Sequence, residues 1–164
     1  MTFFWIVSAL VLIADRAAKL LTQQFMMLGQ RIVWIGGVLQ LRYTHNDGMA
    51  LGFLSGYTVA GIVLPLIAVA FGVFVLRKYK LSRYLWVAAA LIFGGFLANF
   101  ADRVLFGYVV DMIYFPWLPF FICNIADIAI TLGAVLTAIS LIFRPGDWEL
   151  KQAEGAGNDQ NPDG

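Results

Sequence analysis

Three apolar stretches, each close to the length that crosses a lipid bilayer, constrain this chain more than any other feature. They cover residues 57–76, 84–100 and 122–143, and a helix that crosses the hydrocarbon core needs about 20 such residues. A fourth stretch, residues 3–21, is apolar in its first half and carries charged residues in its second, and we count it as a span as well. The sequence therefore predicts an all-α membrane protein built as a bundle of four transmembrane helices.

Composition and charge exclude several classes of function. The chain of 164 residues is 61% hydrophobic and 13% charged, a balance far from that of a soluble domain. Its net charge of +1 gives no broad basic field, so we expect no nucleic-acid partner. One histidine and one cysteine, Cys123, are too few for the usual zinc or iron–sulfur ligand sets. We therefore expect no metal and no cofactor.

The charge of the connecting segments predicts an orientation. Residues 77–83 hold four basic residues and no acidic one, and short loops rich in Lys and Arg lie in the cytoplasm. Both termini are then cytoplasmic, whereas residues 22–56 and 101–121 are extracytoplasmic. The sequence thus predicts a multi-pass protein of a cell membrane.

The first outer segment contains a predicted β-hairpin. Arg31–Ile35 and residues 38–43 flank a Gly-Gly pair, which predicts two strands joined by a two-residue turn. Helices and hairpin form one membrane-embedded domain, residues 1–145. Residues 146–164 are rich in Gly, Asn, Asp and Gln, which predicts a disordered cytoplasmic tail.

The carboxylates of the predicted bundle lie at one level. A rise of about 1.5 Å per residue places Asp15 roughly 18 Å along the first helix, with Lys19 one turn further out. Asp102 follows the third span, Asp111 lies in the outer loop, and Asp127 is in the first turns of the fourth span. Charges inside a membrane are costly and usually mark function. We therefore expect a buried site near the extracytoplasmic face.

Two pairs of charged residues near this level have a structural interpretation as well as a functional one. Asp15 and Lys19 are spaced as an i, i+4 ion pair in which Lys19 reaches outward to the interface, or they position a substrate. Asp102 and Arg103 either form an ion cluster that holds the end of the helix or take part in the chemistry. The residues alone leave both alternatives open.

Two other carboxylates have no basic neighbour in the sequence. Asp111 and Asp127 flank a Pro-containing apolar stretch, which favours a catalytic or proton-handling role. Asn99 and Asn124 are spaced to share a helix face with Asp102 and Asp127, respectively. Their amides either bridge helices, as is common in membranes, or support the carboxylates.

Five short motifs carry a resemblance to a known family. In chain order they are Asp15-Arg16-Ala17-Ala18-Lys19, Asn46-Asp47-Gly48-Met49-Ala50, Gly94-Gly95-Phe96-Leu97-Ala98-Asn99-Phe100-Ala101-Asp102-Arg103, Val109-Val110-Asp111 and Asn124-Ile125-Ala126-Asp127. Together they resemble lipoprotein signal peptidase, also called signal peptidase II. The resemblance covers Asp15 to Asp127.

The resemblance implies a bacterial aspartyl endopeptidase of the cytoplasmic membrane that removes the signal peptide from prolipoproteins. It cuts before a cysteine that carries a diacylglyceryl group, so the expected partners are lipid-modified prolipoproteins and membrane lipids, and we expect a monomer. By motif, the catalytic pair is Asp111 and Asp127. The implied supporting residues are Asn99, Asp102, Arg103 and Asn124, and the implied substrate-side residues are Asp15, Lys19, Asn46 and Gly48.

The sequence departs from the usual family pattern at positions that shape a pocket. They are Ala18, Leu51, Ala98, Met112 and Cys123. Because the carboxylates and amides are all present, these departures bear on substrate range more than on reaction type. Three rival interpretations stay open: a small proton or ion pathway, an inactive membrane binding factor on the same scaffold, and a protease with Cys123 or Ser55 as nucleophile and His45 as base.

Overall fold

The computed structural model describes residues 2–47, 58–118 and 121–150. Its four helices are α1 (Thr2–Phe25), α2 (Thr58–Lys78), α3 (Arg83–Phe106) and α4 (Ile125–Phe143), and its six strands are β1 (Arg31–Ile35), β2 (Leu39–Asn46), β3 (Tyr79–Leu81), β4 (Val109–Tyr114), β5 (Ile122–Cys123) and β6 (Trp148–Leu150). Within the described residues, α3 and α4 are long and apolar enough to cross a membrane.

Each predicted span overlaps a helix, and the helices begin and end at residues that differ from the approximate bounds of the spans. The helices α1 and α3 run beyond residues 3–21 and 84–100, because the polar residues at their outer ends are bonded inside the bundle and do not end the helix. The fourth helix begins at Ile125, three residues later than predicted, since Ile122 and Cys123 form a strand. The span predicted as residues 57–76 overlaps α2, whose last turn contains Arg77 and Lys78; residue 57 lies outside the described residues.

Three glycines allow α3 to pack against its neighbours at backbone distance. A Cβ on Gly95 would lie 2.5 Å from the Ala126 carbonyl oxygen, and a Cβ on Gly133 would lie 2.6 Å from that of Ala88. On the other side of α3, a Cβ on Gly94 would lie 2.8 Å from the Ser8 carbonyl oxygen of α1. Small residues at helix crossings are the usual means of close approach in membranes. The helix α3 is therefore the centre of the bundle.

A four-stranded antiparallel sheet, in the order β1-β2-β4-β5, packs at the end of the bundle where α1 and α3 finish. The predicted hairpin is present, but its connection has three residues, Gly36 to Val38, with Gly37 at a φ of 71°. Asp111, predicted in a loop, lies on the inner strand β4. This strand was missed because its residues from Val109 to Met112 are all buried, so it lacks the in–out alternation that marks a half-exposed strand.

A second, two-stranded sheet at the opposite end corrects the predicted tail. The strand β6 pairs antiparallel with β3, and the Ser82 amide donates to the Asp147 carbonyl at 3.3 Å. Residues 146–150 are therefore ordered. Their strand pairs with β3, and the Trp148 ring packs against the Tyr79 ring with centroids 5.9 Å apart. Residues 151–164, the rest of that tail, lie outside the described residues.

Candidate active site

The first turn of α4 fixes one carboxylate. Asn124 caps the helix, and its side-chain oxygen accepts from the Asp127 amide at 2.9 Å. In return, Asp127 Oδ2 accepts from the Asn124 amide at 3.2 Å. This reciprocal pattern satisfies two amides that a helix start leaves without partners. Asp127 is consequently held at the positive end of the α4 dipole, with part of its surface exposed.

The second carboxylate, Asp111, comes from the sheet and is 1% exposed. Its Oδ2 accepts from Asn46 Nδ2 at 2.8 Å, and its Oδ1 accepts from Asn124 Nδ2 at 2.7 Å. Asn46 reaches Asp111 because β2 and β4 pair in register along this segment, with Thr44 opposite Asp111. The pairing of the strands thus places an amide donor on each oxygen of Asp111.

Asn124 joins the two carboxylates into one site. Its side-chain amide donates to Asp111, and its backbone amide donates to Asp127. Since its oxygen is already committed to the Asp127 amide, the side-chain NH₂ must face Asp111. One residue therefore sets the position of both acidic groups.

Lys19 fixes the orientation of a second amide, that of Asn99. The Lys19 ammonium donates to Asn99 Oδ1 at 3.0 Å, and an ammonium group has no acceptor. The Asn99 oxygen must therefore face Lys19, which turns Asn99 Nδ2 toward Asp127 Oδ1 at 2.8 Å. The same Asn99 oxygen accepts from Asn124 Nδ2 at 3.2 Å, so the two amides are coupled.

A buried ion cluster lies behind these amides. Lys19, 0% exposed, contacts Asp15 Oδ2 at 2.6 Å and Asp102 Oδ2 at 2.8 Å. Asp15 Oδ1 also accepts from the Ala126 amide at 2.9 Å, which ties α1 to the start of α4. Arg16 adds an ion pair with Asp102 at 3.4 Å from a partly exposed position. The cluster joins α1, α3 and α4 beneath the two catalytic candidates.

Burial and charge set the protonation of the sheet carboxylate. Burial, and to a smaller extent the charge of Asp127, raise the pKa of Asp111 from its ordinary value of 3.8 to about 7, against the opposing effects of the Asn46 and Asn124 donors and of Lys19. A carboxyl group with such a pKa carries its proton for much of the time near neutral pH. Two adjacent carboxylates that share a proton are a known arrangement for acid–base hydrolysis.

The lone cysteine is poorly suited to act as a nucleophile. Burial raises the pKa of the Cys123 thiol to about 12, and the charges of Asp127 and Asp111 contribute to the shift. The thiolate is the reactive form of cysteine, and reactive cysteines have lowered pKa values. The environment of Cys123 therefore opposes the cysteine-protease interpretation.

The structure brings together nine of the ten residues singled out in the sequence. Asp15, Lys19, Asn46, Asn99, Asp102, Asp111, Asn124 and Asp127 form one network of hydrogen bonds and ion pairs. Arg103 lies beside it and donates to the Asn99 carbonyl at 3.4 Å. The tenth residue, Gly48, lies outside the described residues.

Three features of the site differ from the sequence interpretation or were missed by it. Lys19 does not reach outward to the interface but is enclosed. The Ala126 amide, a backbone donor, has no signature in the sequence. Arg16 was passed over although it follows Asp15 directly; its guanidinium also stacks over the Phe106 ring at 5.0 Å.

The chain is similar in sequence to a defined peptidase family. Residues 7–143 match the family model described as signal peptidase (SPase) II. A lipoprotein signal peptidase from Lactobacillus gasseri is 37% identical over 141 residues, which is 85% of this chain and 92% of the relative. Another from Halothermothrix orenii is 35% identical over 137 residues, covering 84% of this chain and 93% of the relative.

Solved structures agree with this similarity. A bacterial membrane enzyme determined by the in meso method at 2.3 Å resolution has a TM-score of 0.78 and 32% identity, over 86% of this chain and 88% of that chain. A second bacterial membrane enzyme, determined by the same method at 1.9 Å resolution, has a TM-score of 0.77 and 30% identity, over 88% of this chain and 95% of that chain. The matched segment 7–143 contains the whole network described above.

Proposed function

The chain belongs to the signal peptidase II family and is an aspartic-type peptidase that removes signal peptides from prolipoproteins, and from this premise we propose that Asp111 and Asp127 are its catalytic pair. The observation that carries the proposal is the bridge made by Asn124, which donates to Asp111 at 2.7 Å and to Asp127 at 3.2 Å. A residue that fixes two acidic groups against each other suits a shared-proton mechanism.

The roles of the two carboxylates follow from their environments. We propose that Asp111, buried and with a pKa of about 7, holds the proton, and that Asp127, partly exposed in the first turn of α4, acts as the base. Asp127 takes a proton from water as the water oxygen bonds to the scissile carbonyl carbon, and Asp111 donates its proton to the carbonyl oxygen. When the C–N bond breaks, Asp127 passes its proton to the leaving nitrogen, and the new hydroxyl returns one to Asp111.

The remaining polar residues act behind or beside the pair. We propose that Asn99, Asp102, Arg103 and Asn124 orient the carboxylates. Asp15 and Lys19, expected on the substrate side, have almost no exposed surface for a substrate and are better explained as the support that orients Asn99. Asn46, half-buried and bonded to Asp111, remains a substrate-side candidate together with Gly48.

The substrate and the membrane arrangement complete the proposal. The substrate is a prolipoprotein cut before its diacylglyceryl-modified cysteine. The four helices cross a bacterial cytoplasmic membrane with both termini inside, and a monomer carries the site near the extracytoplasmic face. The apolar surfaces of α3 and α4 support this placement, as does the basic segment that joins α2 to α3. A lipid-anchored substrate is then concentrated in the membrane that holds the site.

The test is cleavage of a synthetic lipobox peptide by the purified protein, with and without a diacylglyceryl group on its cysteine. We expect the wild type to cleave only the lipid-modified peptide. We expect kcat to fall by a factor of about 10² to 10⁴ in Asp111→Asn and in Asp127→Asn, because each change removes one proton-transfer group. Both variants keep the shape of the side chain, and their helix content should match the wild type. Normal turnover by either variant would refute the catalytic pair.

A further inference from the structure

An apolar cavity of about 440 Å³ lies at the end of the bundle opposite the carboxylates. Its walls are α2, the first turns of α1, the first half of α3 and the sheet formed by β3 and β6. One side of the cavity is open to the outside. Phe4, Val73, Trp86 and Trp148 are among its lining residues. None of the residues assigned to the active site contacts it.

Thr137 and Trp148, two of the residues that line the cavity, already donate their hydrogen bonds within the protein. Thr137 lines it, but the Thr137 hydroxyl donates to the Gly133 carbonyl at 2.8 Å. The Trp148 indole N–H likewise donates to the Ser140 hydroxyl at 3.1 Å. Since an ordered internal water needs two to four polar partners, the lining favours a hydrocarbon occupant.

The volume fits one long hydrocarbon chain. An apolar cavity of about 150 Å³ is enough to hold benzene, so a cavity of 440 Å³ has room for roughly three times as many carbon atoms, on the order of eighteen. That is the size of one fatty acyl chain. A complete two-chain lipid would leave its second chain on the outer surface of the bundle.

Unpaired positive charge adjoins the cavity at this end. Leu81, a lining residue, is flanked in the chain by Lys78 at the end of α2 and Arg83 at the start of α3. Arg77, Lys78 and Arg83 are exposed, and none of them has a carboxylate within ion-pair distance in the described part of the chain. Basic residues beside a membrane surface attract anionic headgroups.

We propose that this cavity binds one anionic phospholipid, with an acyl chain inside it and the phosphate beside Arg77, Lys78 and Arg83. The lipid fills the space between α2 and the rest of the bundle and fixes the position of α2 against α3. This inference rests on the proposed placement of the chain in a membrane but not on its catalytic residues, so lipid binding and peptide cleavage are measured separately.

The experiment measures lipid retention by native mass spectrometry of the delipidated, detergent-solubilised protein. The probes are phosphatidylglycerol and phosphatidylcholine with identical acyl chains. We expect a single phosphatidylglycerol to bind at least about tenfold more tightly than phosphatidylcholine, and the Arg77→Gln/Lys78→Gln/Arg83→Gln variant to lose that preference. Arg31→Gln, an exposed arginine on β1, is the matched control and should keep it.

A second variant fills the cavity itself. Gly72 lines it, and a Cβ added to Gly72 would have no other atom within 4 Å. Gly72→Leu should therefore add side-chain volume to the cavity and lower retention of both lipids by about tenfold. Ile67→Phe adds bulk to the exposed face of α2 and should bind as the wild type does. Three outcomes would each overturn the proposal. The wild type could retain both lipids equally, Gly72→Leu could retain them as the wild type does, or the cavity could belong to a dimer that Gly72→Leu dissociates. Lipobox cleavage by the same samples shows that the protein is folded.

Discussion

Lys19 is the residue on which the geometry of the site depends most. Its ammonium is fully enclosed and contacts Asp15, Asp102 and Asn99 at 2.6 to 3.0 Å. Lys19→Met keeps the length of the side chain but leaves Asp15 without a counter-charge and Asp102 with only the partly exposed Arg16, and breaking such a cluster costs about 3–5 kcal/mol. We expect a large fall in the unfolding midpoint, measured in detergent, and a loss of cleavage because the Asn99 oxygen loses its charged donor and keeps only the hydrogen bond from Asn124 at 3.2 Å.

Arg16 provides a matched control for that prediction. It contacts the same Asp102 carboxylate, but at 3.4 Å and with a side chain that is 37% exposed. Exposed ion pairs contribute about 0–1 kcal/mol, so Arg16→Met should change the unfolding midpoint little. If the two variants lost stability equally, the enclosed ammonium would not be the centre of the cluster.

The protonation of Asp111 predicts the pH dependence of the reaction. Its pKa of about 7 means that the proton-donating form is lost as the pH rises through neutrality. We therefore expect kcat/KM for lipobox peptide to fall above about pH 7 and to show a second, acidic limb where Asp127 becomes protonated, as in other two-carboxylate sites. A profile from about pH 4 to about pH 9, with helix content followed in parallel, measures both limbs.

The same proton predicts how stability changes with pH. The folded chain binds this proton more tightly than an unfolded chain, in which Asp titrates near its ordinary pKa of 3.8. The contribution of Asp111 to folding is therefore lost as the pH rises from about 4 through about 7. Asp111→Asn has no proton to lose, so its unfolding midpoint should fall less than that of the wild type over this range. An identical decline in both proteins would contradict the raised pKa.

Among the elements, the contact of α3 with α4 controls the distance between the Asn99 amide on α3 and Asp127 on α4. Gly95 lies one turn before Asn99, and a Cβ on it would meet the Ala126 carbonyl at 2.5 Å and Ile130 at 2.7 Å. Gly95→Ala should therefore separate the helices, at about 1–3 kcal/mol of stability, and lower kcat by about tenfold to a hundredfold through displacement of Asp127. Thermal unfolding and lipobox cleavage measure the two effects.

Two other glycines separate packing from catalysis. Gly133→Ala makes a similar clash, 2.6 Å from the Ala88 carbonyl, but lies six residues beyond Asp127 along α4, so it should destabilise while largely sparing kcat. Gly72→Ala on α2 meets nothing within 4 Å and should match or exceed the wild type in stability, since Ala favours helix more than Gly does. Equal loss of kcat in Gly95→Ala and Gly133→Ala would mean that the effect is general unfolding.

The elements also show which kinds of signal the sequence carries. Three of the helices could be predicted because long apolar stretches have few alternatives, and Asp111 and Asp127 stood out because carboxylates are rare in such chains. The strand β4 could not be predicted, since its residues from Val109 to Met112 are all buried and show no in–out alternation. The role of Lys19 could not be predicted either, because its partners on α3 are 80 or more residues away in the sequence.

At the scale of the whole molecule, polar groups are divided between two ends. The carboxylates and amides of the candidate site lie at the end with the four-stranded sheet, and the exposed cationic residues Arg77, Lys78, Lys80 and Arg83 lie at the other, where β3 and β6 pair. Such a division suits a bundle that spans a membrane with its basic end in the cytoplasm. In the orientation that we propose, the site opens on the extracytoplasmic side.

The orientation can be measured because the chain has a single cysteine. Cys123→Ala gives a background without thiols, into which Val33→Cys on the exposed strand β1 or Lys80→Cys on the exposed edge of β3 is introduced. A membrane-impermeant maleimide added to intact spheroplasts should label Val33→Cys and not Lys80→Cys, and permeabilised cells should show labelling at both positions. The reverse pattern in intact spheroplasts would place the carboxylates on the cytoplasmic side and contradict the proposed route of the substrate. We expect the Cys123→Ala background to keep lipobox cleavage, because the thiol takes no part in the proposed chemistry. Cleavage by each labelled variant shows that it is folded, and loss of cleavage in Cys123→Ala would support the cysteine-protease interpretation.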